Sequence, residues 1–231
     1  MHFRGIRAVA FDAVGMLIHP DPAAPAVYAE VGHRFGSELS LPVIAQRFKA
    51  AFQHEEEQDK RQNYRTSETR EIERWRRIVA SVLDDVQDPE ACFRELFEHF
   101  GRPGSWSCNP DAQEVLEPLR AAGYKLTIAS NYDGRLRSVV AGMTPLRPLG
   151  PQIISSEVGW RKPSPQFFAA ICEAVGAEPS QILYVGDDLV NDYKGATEAG
   201  LKAILYDPQQ TAISPGLPQI RSLHDLAEIV R

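Results

Sequence analysis

The chain is 231 residues long, 43% hydrophobic and 24% charged, with 16 Gly and 17 Pro. That is the composition of a globular protein with a sizeable core, and it excludes disorder, collagen and coiled coil. Lys plus Arg number 25 against 31 Asp plus Glu, a net charge of −6 that draws the molecule as a whole neither to nucleic acid nor to an anionic membrane.

No apolar run reaches the roughly 18 to 20 residues of a membrane helix. Residues 1–12 lack the long apolar region and cleavage site of a signal peptide. Cys92, Cys108 and Cys172 have no CxxC spacing and read as reduced thiols, not as a disulfide or zinc framework. A soluble, cytoplasmic protein is expected.

In chain order, Ile6 to Phe11 is a short apolar run that stops at Asp12, a buried strand delivering an acid at its carboxyl end. From Pro20 to Phe100 the pattern is helical. Val27, Val31 and Phe35 are spaced i, i+4, i+8, as are Ile44, Phe48 and Phe52; Ile72 to Val82 and Phe93 to Phe100 follow. Four amphipathic helices in a row result, with Trp75 and the phenylalanines as their core. The mixed-charge stretch His54 to Arg65 and the arginines Arg74, Arg76 and Arg77 read as solvated helix faces. Strands and helices alternate after Pro103-Gly104. Helices are expected at Asp111 to Ala122, Leu136 to Val140, Pro165 to Val175 (capped by Ser164), Asn191 to Ala199 and Leu223 to Val230. Strands are expected at Tyr124 to Ala129, Gln152 to Ser155, Ile182 to Val185 and Lys202 to Tyr206. The fold class is therefore α/β: a Rossmann-like parallel sheet core, residues 1–18 and 107–231, interrupted by an all-α helical cap over 19–106. The cap would sit over the carboxyl ends of the strands, where such sheets bind ligands.

Three of these strands end in polar groups: Asp12, Ser130-Asn131, and Gly186-Asp187-Asp188 with Asp192 beyond. Arg161-Lys162-Pro163 precedes a helix. Parallel strands bring these groups into one pocket. Clustered carboxylates need a counter-cation, and an all-oxygen set suits Mg²⁺. Lys162, the Ser130 hydroxyl and backbone N–H groups would hold a phosphate, leaving Asp12 to face phosphorus as nucleophile. The chemistry so described is Mg²⁺-assisted phosphoryl transfer.

Phe11-Asp12-Ala13-Val14-Gly15-Met16-Leu17, Ala129-Ser130-Asn131, Arg161-Lys162-Pro163 and Gly186 to Asp192 together resemble, in order, the four motifs of the haloacid dehalogenase superfamily of hydrolases. The helical insert matches that superfamily's small α-helical cap, so the resemblance spans the chain. It implies that Asp12 is the nucleophile, forming an aspartyl-phosphate, and also a metal ligand. Ser130, Asn131, Lys162 and the backbone of Ala13 and Val14 would bind phosphate, with Lys162 also screening charge around Asp12. Mg²⁺ would be held by Asp12, the Val14 carbonyl and Asp187, with Asp192 acting through water or orienting the site. Asp188 is a weaker candidate ligand.

One position departs from that pattern. Phosphatases of the superfamily carry a second Asp two residues after the nucleophile, which protonates the leaving group; here that residue is Val14. Loss of general acid–base catalysis is worth ~10²- to 10⁴-fold, or about 2.7 to 5.5 kcal/mol of barrier. His19 is a substitute acid on its titration range alone, although a surface hinge histidine is the plainer reading. Three functions compete: a slow or specialised Mg²⁺-dependent phosphatase of a small phosphorylated metabolite, a metal-independent 2-haloacid dehalogenase, and a non-catalytic descendant that binds phosphate ligands or a protein. Phosphonate cleavage through a lysine Schiff base is weaker, since Lys49 and Lys60, the cap's only lysines, lie in no distinctive motif. Glu157 and Arg161 read as loop scaffolding near Lys162.

Overall fold

The structure is a computed structural model and describes residues 2–210 and 216–230. Its centre is strand β1 (Ala8–Phe11), in which every residue is buried. Short runs of small and branched apolar residues suit a strand covered on both faces, and the alternation is visible in their packing. Val9 and Phe11 join one apolar cluster, Ala8 and Ala10 the opposite one.

The remaining strands are β2 (Ile18–Pro20), β3 (Trp106–Cys108), β4 (Lys125–Ser130), β5 (Gln152–Ile154), β6 (Ile182–Gly186), β7 (Lys202–Tyr206) and β8 (Gln219–Ile220). Six form a parallel sheet in the order β5-β4-β1-β6-β7-β8. Phe11 is in register with Ile128 of β4 and Val185 of β6. The residues that follow β1, β4 and β6 therefore emerge side by side at the centre of the carboxyl edge.

Between β2 and β3 lie four helices: α1 (Ala24–Arg34), α2 (Leu41–Arg61), α3 (Glu68–Val82) and α4 (Pro89–His99). Ser67 and Asp88 cap α3 and α4 by accepting from the Arg70 and Ala91 amides. The four helices share an apolar cluster that includes Val31, Ile44, Ile78, Val82, Phe93 and Leu96. Beyond β3 come α5 (Ala112–Ala121), α6 (Arg135–Ala141), α7 (Ser155–Val158), α8 (Pro165–Val175), α9 (Gly195–Glu198) and α10 (Leu226–Ile229). No helix among the described residues is long and apolar enough to cross a membrane. The three cysteines are free thiols.

Several details differ from the sequence reading. The chain enters and leaves the helical insert through an antiparallel ribbon, β2 with β3, that was not expected. Asn191 to Ala199 is not one α-helix but a π-helical turn, Leu189–Lys194, running into α9, and Ser164 makes no capping bond to α8. Most of the charged stretch from His54 to Arg65 is exposed, as expected, but two of its acids and one arginine of α3 are not. Glu55 is 3%, Asp59 2% and Arg74 1% exposed, because Glu55 pairs with Arg77, and Asp59 with Arg74 and Arg161. Arg76 and Arg77 do lie outside.

Candidate active site

Asp12 leaves the end of β1 with its amide bonded to the Val185 carbonyl at 2.8 Å, and is 5% exposed. Lys162 reaches it from the loop before α8. The Lys162 ammonium donates to Asp12 Oδ1 at 2.6 Å, to Asp192 Oδ1 at 2.6 Å and to the Tyr184 hydroxyl at 3.0 Å. The Tyr184 hydroxyl in turn donates a hydrogen bond to the Ala129 carbonyl at 2.8 Å. All three ammonium protons are thus engaged. Burial alone would lower the Lys162 pKa, but the Asp12 and Asp192 carboxylates outweigh it and hold the pKa well above that of a free lysine.

Asn131, one residue beyond β4, clamps the backbone of Lys162. Its Oδ1 accepts from the Lys162 amide at 2.7 Å and its Nδ2 donates to the Lys162 carbonyl at 3.1 Å. Neighbouring Ser130 is 2% exposed, and its hydroxyl has no partner among the described residues. The amides of Ala13 and Val14 donate to no backbone carbonyl among those residues, whereas those of Asp12 and Gly15 do.

Asp12, Asp187 and Asp192 place one carboxylate oxygen each within 4.8 Å of one another. Glycines make this approach possible. A Cβ on Gly15, whose φ is +95°, would lie 2.2 Å from Asp187 Oδ2, and one on Gly186 would lie 2.3 Å from Asp192 Cγ. Asp188 stands apart from the cluster: its Oδ1 accepts from the Val190 and Asn191 amides at 2.7 and 2.8 Å, so it caps the turn. Asp187 keeps an open face to solvent, yet the protein packed around its base and then the charges of Asp12 and Asp192 push it up to about 7. Burial raises Asp192 to about 6 against the pull of Lys162. With all three carboxylates ionised, one ammonium leaves two negative charges uncompensated, and the upward shifts of Asp187 and Asp192 register that strain. A hard divalent cation fits that deficit and this all-oxygen donor set.

A cluster that the sequence concealed adjoins Lys162. Arg161 is 5% exposed and pairs with Glu71 of α3 and, at 3.2 Å, with Asp59 of α2. Asp59 also holds Arg70 at 2.8 Å and Arg74 at 3.3 Å. Backbone bonds from Arg161 to the Tyr64 carbonyl (2.8 Å) and from Thr66 to the Gly159 carbonyl (3.1 Å) reinforce the seam. Glu68 reaches across as well, accepting from the Gly134 amide and the Ser156 hydroxyl. Arg161 thus ties the helices to the loop that positions Lys162; Glu157 pairs with Arg137 instead.

Beside the acids is a cavity of about 300 Å³. Val14, Asn131, Tyr132 and Arg135 form one wall, and Tyr28, Phe48, Phe52, Trp75, Phe97 and Phe100 much of the other. The aromatic stripes of the insert are therefore cavity wall as well as core. His19 is not on that wall. In β2, Ile18 packs into the core and Pro20 lines the cavity, so the alternating His19 side chain lies on the opposite, exposed face.

Comparison with known proteins places this geometry. A family model described as haloacid dehalogenase-like hydrolase matches residues 6–200. The chain is 25% identical over 239 residues to haloacid dehalogenase-like hydrolase domain-containing protein 3 of Bos taurus, covering 99% of this chain and 94% of that protein. It is 25% identical over 235 residues to a phosphoserine phosphatase of Thermus thermophilus, covering 92% and 94%. The fold is also that of an L-2-haloacid dehalogenase from Xanthobacter autotrophicus, with a TM-score of 0.75, 20% identity, and coverage of 96% and 97%.

Proposed function

The chain belongs to the haloacid dehalogenase-like hydrolases, and from that premise we propose that it is a Mg²⁺-dependent phosphatase of a small phosphorylated molecule, with Asp12 as nucleophile. The observation that supports this most is the surplus of two negative charges around Lys162. A 2-haloacid would bring its own carboxylate into that field and be repelled. A phosphate arriving with a divalent cation would not.

Asp12, Asp187 and the Val14 carbonyl would hold the cation, with Asp192 acting through water. When bound, Mg²⁺ supplies neutralisation of the phosphoryl charge. Lys162 holds Asp12 through Oδ1 and orients it for attack. The Ser130 hydroxyl, which has no partner among the described residues, and the amides of Ala13 and Val14 would bind the equatorial phosphoryl oxygens. Attack forms the Asp12 Oδ–P bond and breaks the bond from phosphorus to the ester oxygen, which leaves with the electron pair. Water then hydrolyses the aspartyl-phosphate. Val14 offers the departing oxygen no proton, so good leaving groups are favoured.

The β2–β3 ribbon spans the positions where the division at 18/19 and 106/107 is expected, and we take it as the hinge on which a helical cap would admit substrate. Val14 and the apolar cavity also favour a second reading, in which Asp12 displaces halide from carbon without a cation. Release of phosphate from acetyl phosphate or 4-nitrophenyl phosphate distinguishes them. Turnover should require Mg²⁺, stop with chelator and vanish in Asp12→Asn. Chelator-insensitive chloride release from 2-chloropropionate, with no phosphate substrate accepted, would establish the second reading instead.

A further inference from the structure

We propose that the cavity beside the acids is the leaving-group site for a neutral aromatic ring, making the substrate an aryl phosphate, and that the Tyr28 hydroxyl hydrogen-bonds a polar substituent on that ring. The phosphate half of this statement rests on the phosphatase reading above; the cavity half does not.

The cavity's volume, about 300 Å³, lies at the lower end of the range for small-molecule sites. Its polar wall groups are mostly engaged. Arg135 is bonded in bidentate fashion to Asp133 at 2.7 Å, gives a further N–H to the Phe97 carbonyl and stacks 3.5 Å from the Phe97 ring centroid. The Tyr132 hydroxyl donates to the Phe100 carbonyl at 3.0 Å, and Asn131 is held by Lys162. A sugar or other polyol would leave several buried hydroxyls unpaired, each costing on the order of tenfold in affinity. A charged leaving group would find no free counter-charge in this wall.

Tyr28 is different. It is 1% exposed, lies on the cavity wall, and its hydroxyl has no hydrogen-bond partner among the described residues. Burial raises its pKa, so the hydroxyl keeps its proton at neutral pH and can donate. Val14 selects the same substrates from the chemical side, because it lines the cavity and supplies no proton. In the transfer to Asp12, the ester oxygen must depart as an anion and collect its proton from water afterwards. A phenol, with a pKa near 10 as in tyrosine, does this far more readily than an aliphatic alcohol.

The test uses the dephosphorylated rings, so that it needs no turnover. Calorimetric titration of the intact protein with 4-acetylphenol, which has a ketone acceptor, and 4-ethylphenol, which has the shape without it, should show binding of both. The acetyl compound should bind about 3- to 10-fold tighter. Tyr28→Phe should remove that preference while still binding the ethyl compound. Ala24→Phe, a filling change on the cavity wall at the start of α1, should abolish binding of both, with folding checked by circular dichroism. No phenol binding to the natural protein, or a preference that survives Tyr28→Phe, overturns the proposal. With Mg²⁺, kcat/KM for the corresponding aryl phosphates should exceed that for glycerol phosphate and glucose 6-phosphate at least ~100-fold, and the reverse order also overturns it. Phenol binding with the expected Tyr28 dependence, but no turnover of any phosphate, supports the cavity assignment and defeats the phosphatase reading alone.

Discussion

Replacing Val14 by Asp restores a proton donor where the leaving group would sit. Val14 is half-buried, lines the cavity and follows Asp12 by two residues. An aspartate there would face the apolar wall of the cavity, where desolvation favours the protonated carboxyl that a general acid needs. Acid–base catalysis spans ~10² to 10⁴-fold. In a wall of aromatic rings with no group to orient the new carboxyl, the expected gain on alkyl phosphates is about 10- to 100-fold in kcat/KM, or ~1.4 to 2.7 kcal/mol. On aryl phosphates it should stay below about 3-fold, since those oxygens need little protonation. The cost in stability should be about 1 to 2 kcal/mol, from lost apolar contact and a partly desolvated carboxyl. The assay is kcat/KM against leaving-group pKa for the natural protein, Val14→Asp and Val14→Asn, the last having the shape without the acid. Val14→Asp should give the shallowest dependence. Parallel lines for all three, or a natural protein that already accepts alkyl and aryl phosphates equally, would refute it.

Other expectations follow from the same geometry. Gly15→Ala should abolish calorimetric Mg²⁺ binding while leaving the protein folded, because the new Cβ would fall 2.2 Å from Asp187 Oδ2 at a φ of +95°; unchanged affinity would remove Asp187 from the site. Asp59→Ala leaves Arg74 and Arg161 buried beside each other without their shared carboxylate, and should cost about 3 to 5 kcal/mol in denaturant unfolding. In metal-free protein, Asp187 and Asp192 keep protons to about pH 7 and 6, against 3.8 unfolded. The folded chain then binds more protons than the unfolded one between about pH 4 and 7, so this cluster's contribution to stability is lost as pH rises through that window. Lys162 is charged throughout it and does not change the sign. Added Mg²⁺ should accordingly raise Tm more at about pH 7.5 than at pH 5, and an equal or reversed gain would contradict the assignment.

Five of the six strands of the sheet, the four-helix insert and the acids at the strand ends were legible in the sequence alone; the two-residue edge strand β8 was not. Apolar runs such as Ala8–Phe11 and Ile182–Gly186 have one stable home, inside a parallel sheet, and parallel strands bring their carboxyl ends together whatever the details of their order. Asp12 and Asp187 therefore had to meet. The three-residue strands β2 and β3 were not legible, because neither carries a periodicity and their pairing joins segments 88 residues apart. The cavity was hidden because aromatic residues at helical spacing look the same whether neighbouring helices close over them or leave a space. Glu55, Asp59 and Arg74 were misread as solvated for a related reason. A charged residue on a helix is identical in sequence whether water or a distant arginine neutralises it; only the packing of α2 on α3 buries Glu55 beside Arg77, and only the Arg161 loop docked against both helices buries Asp59 and Arg74.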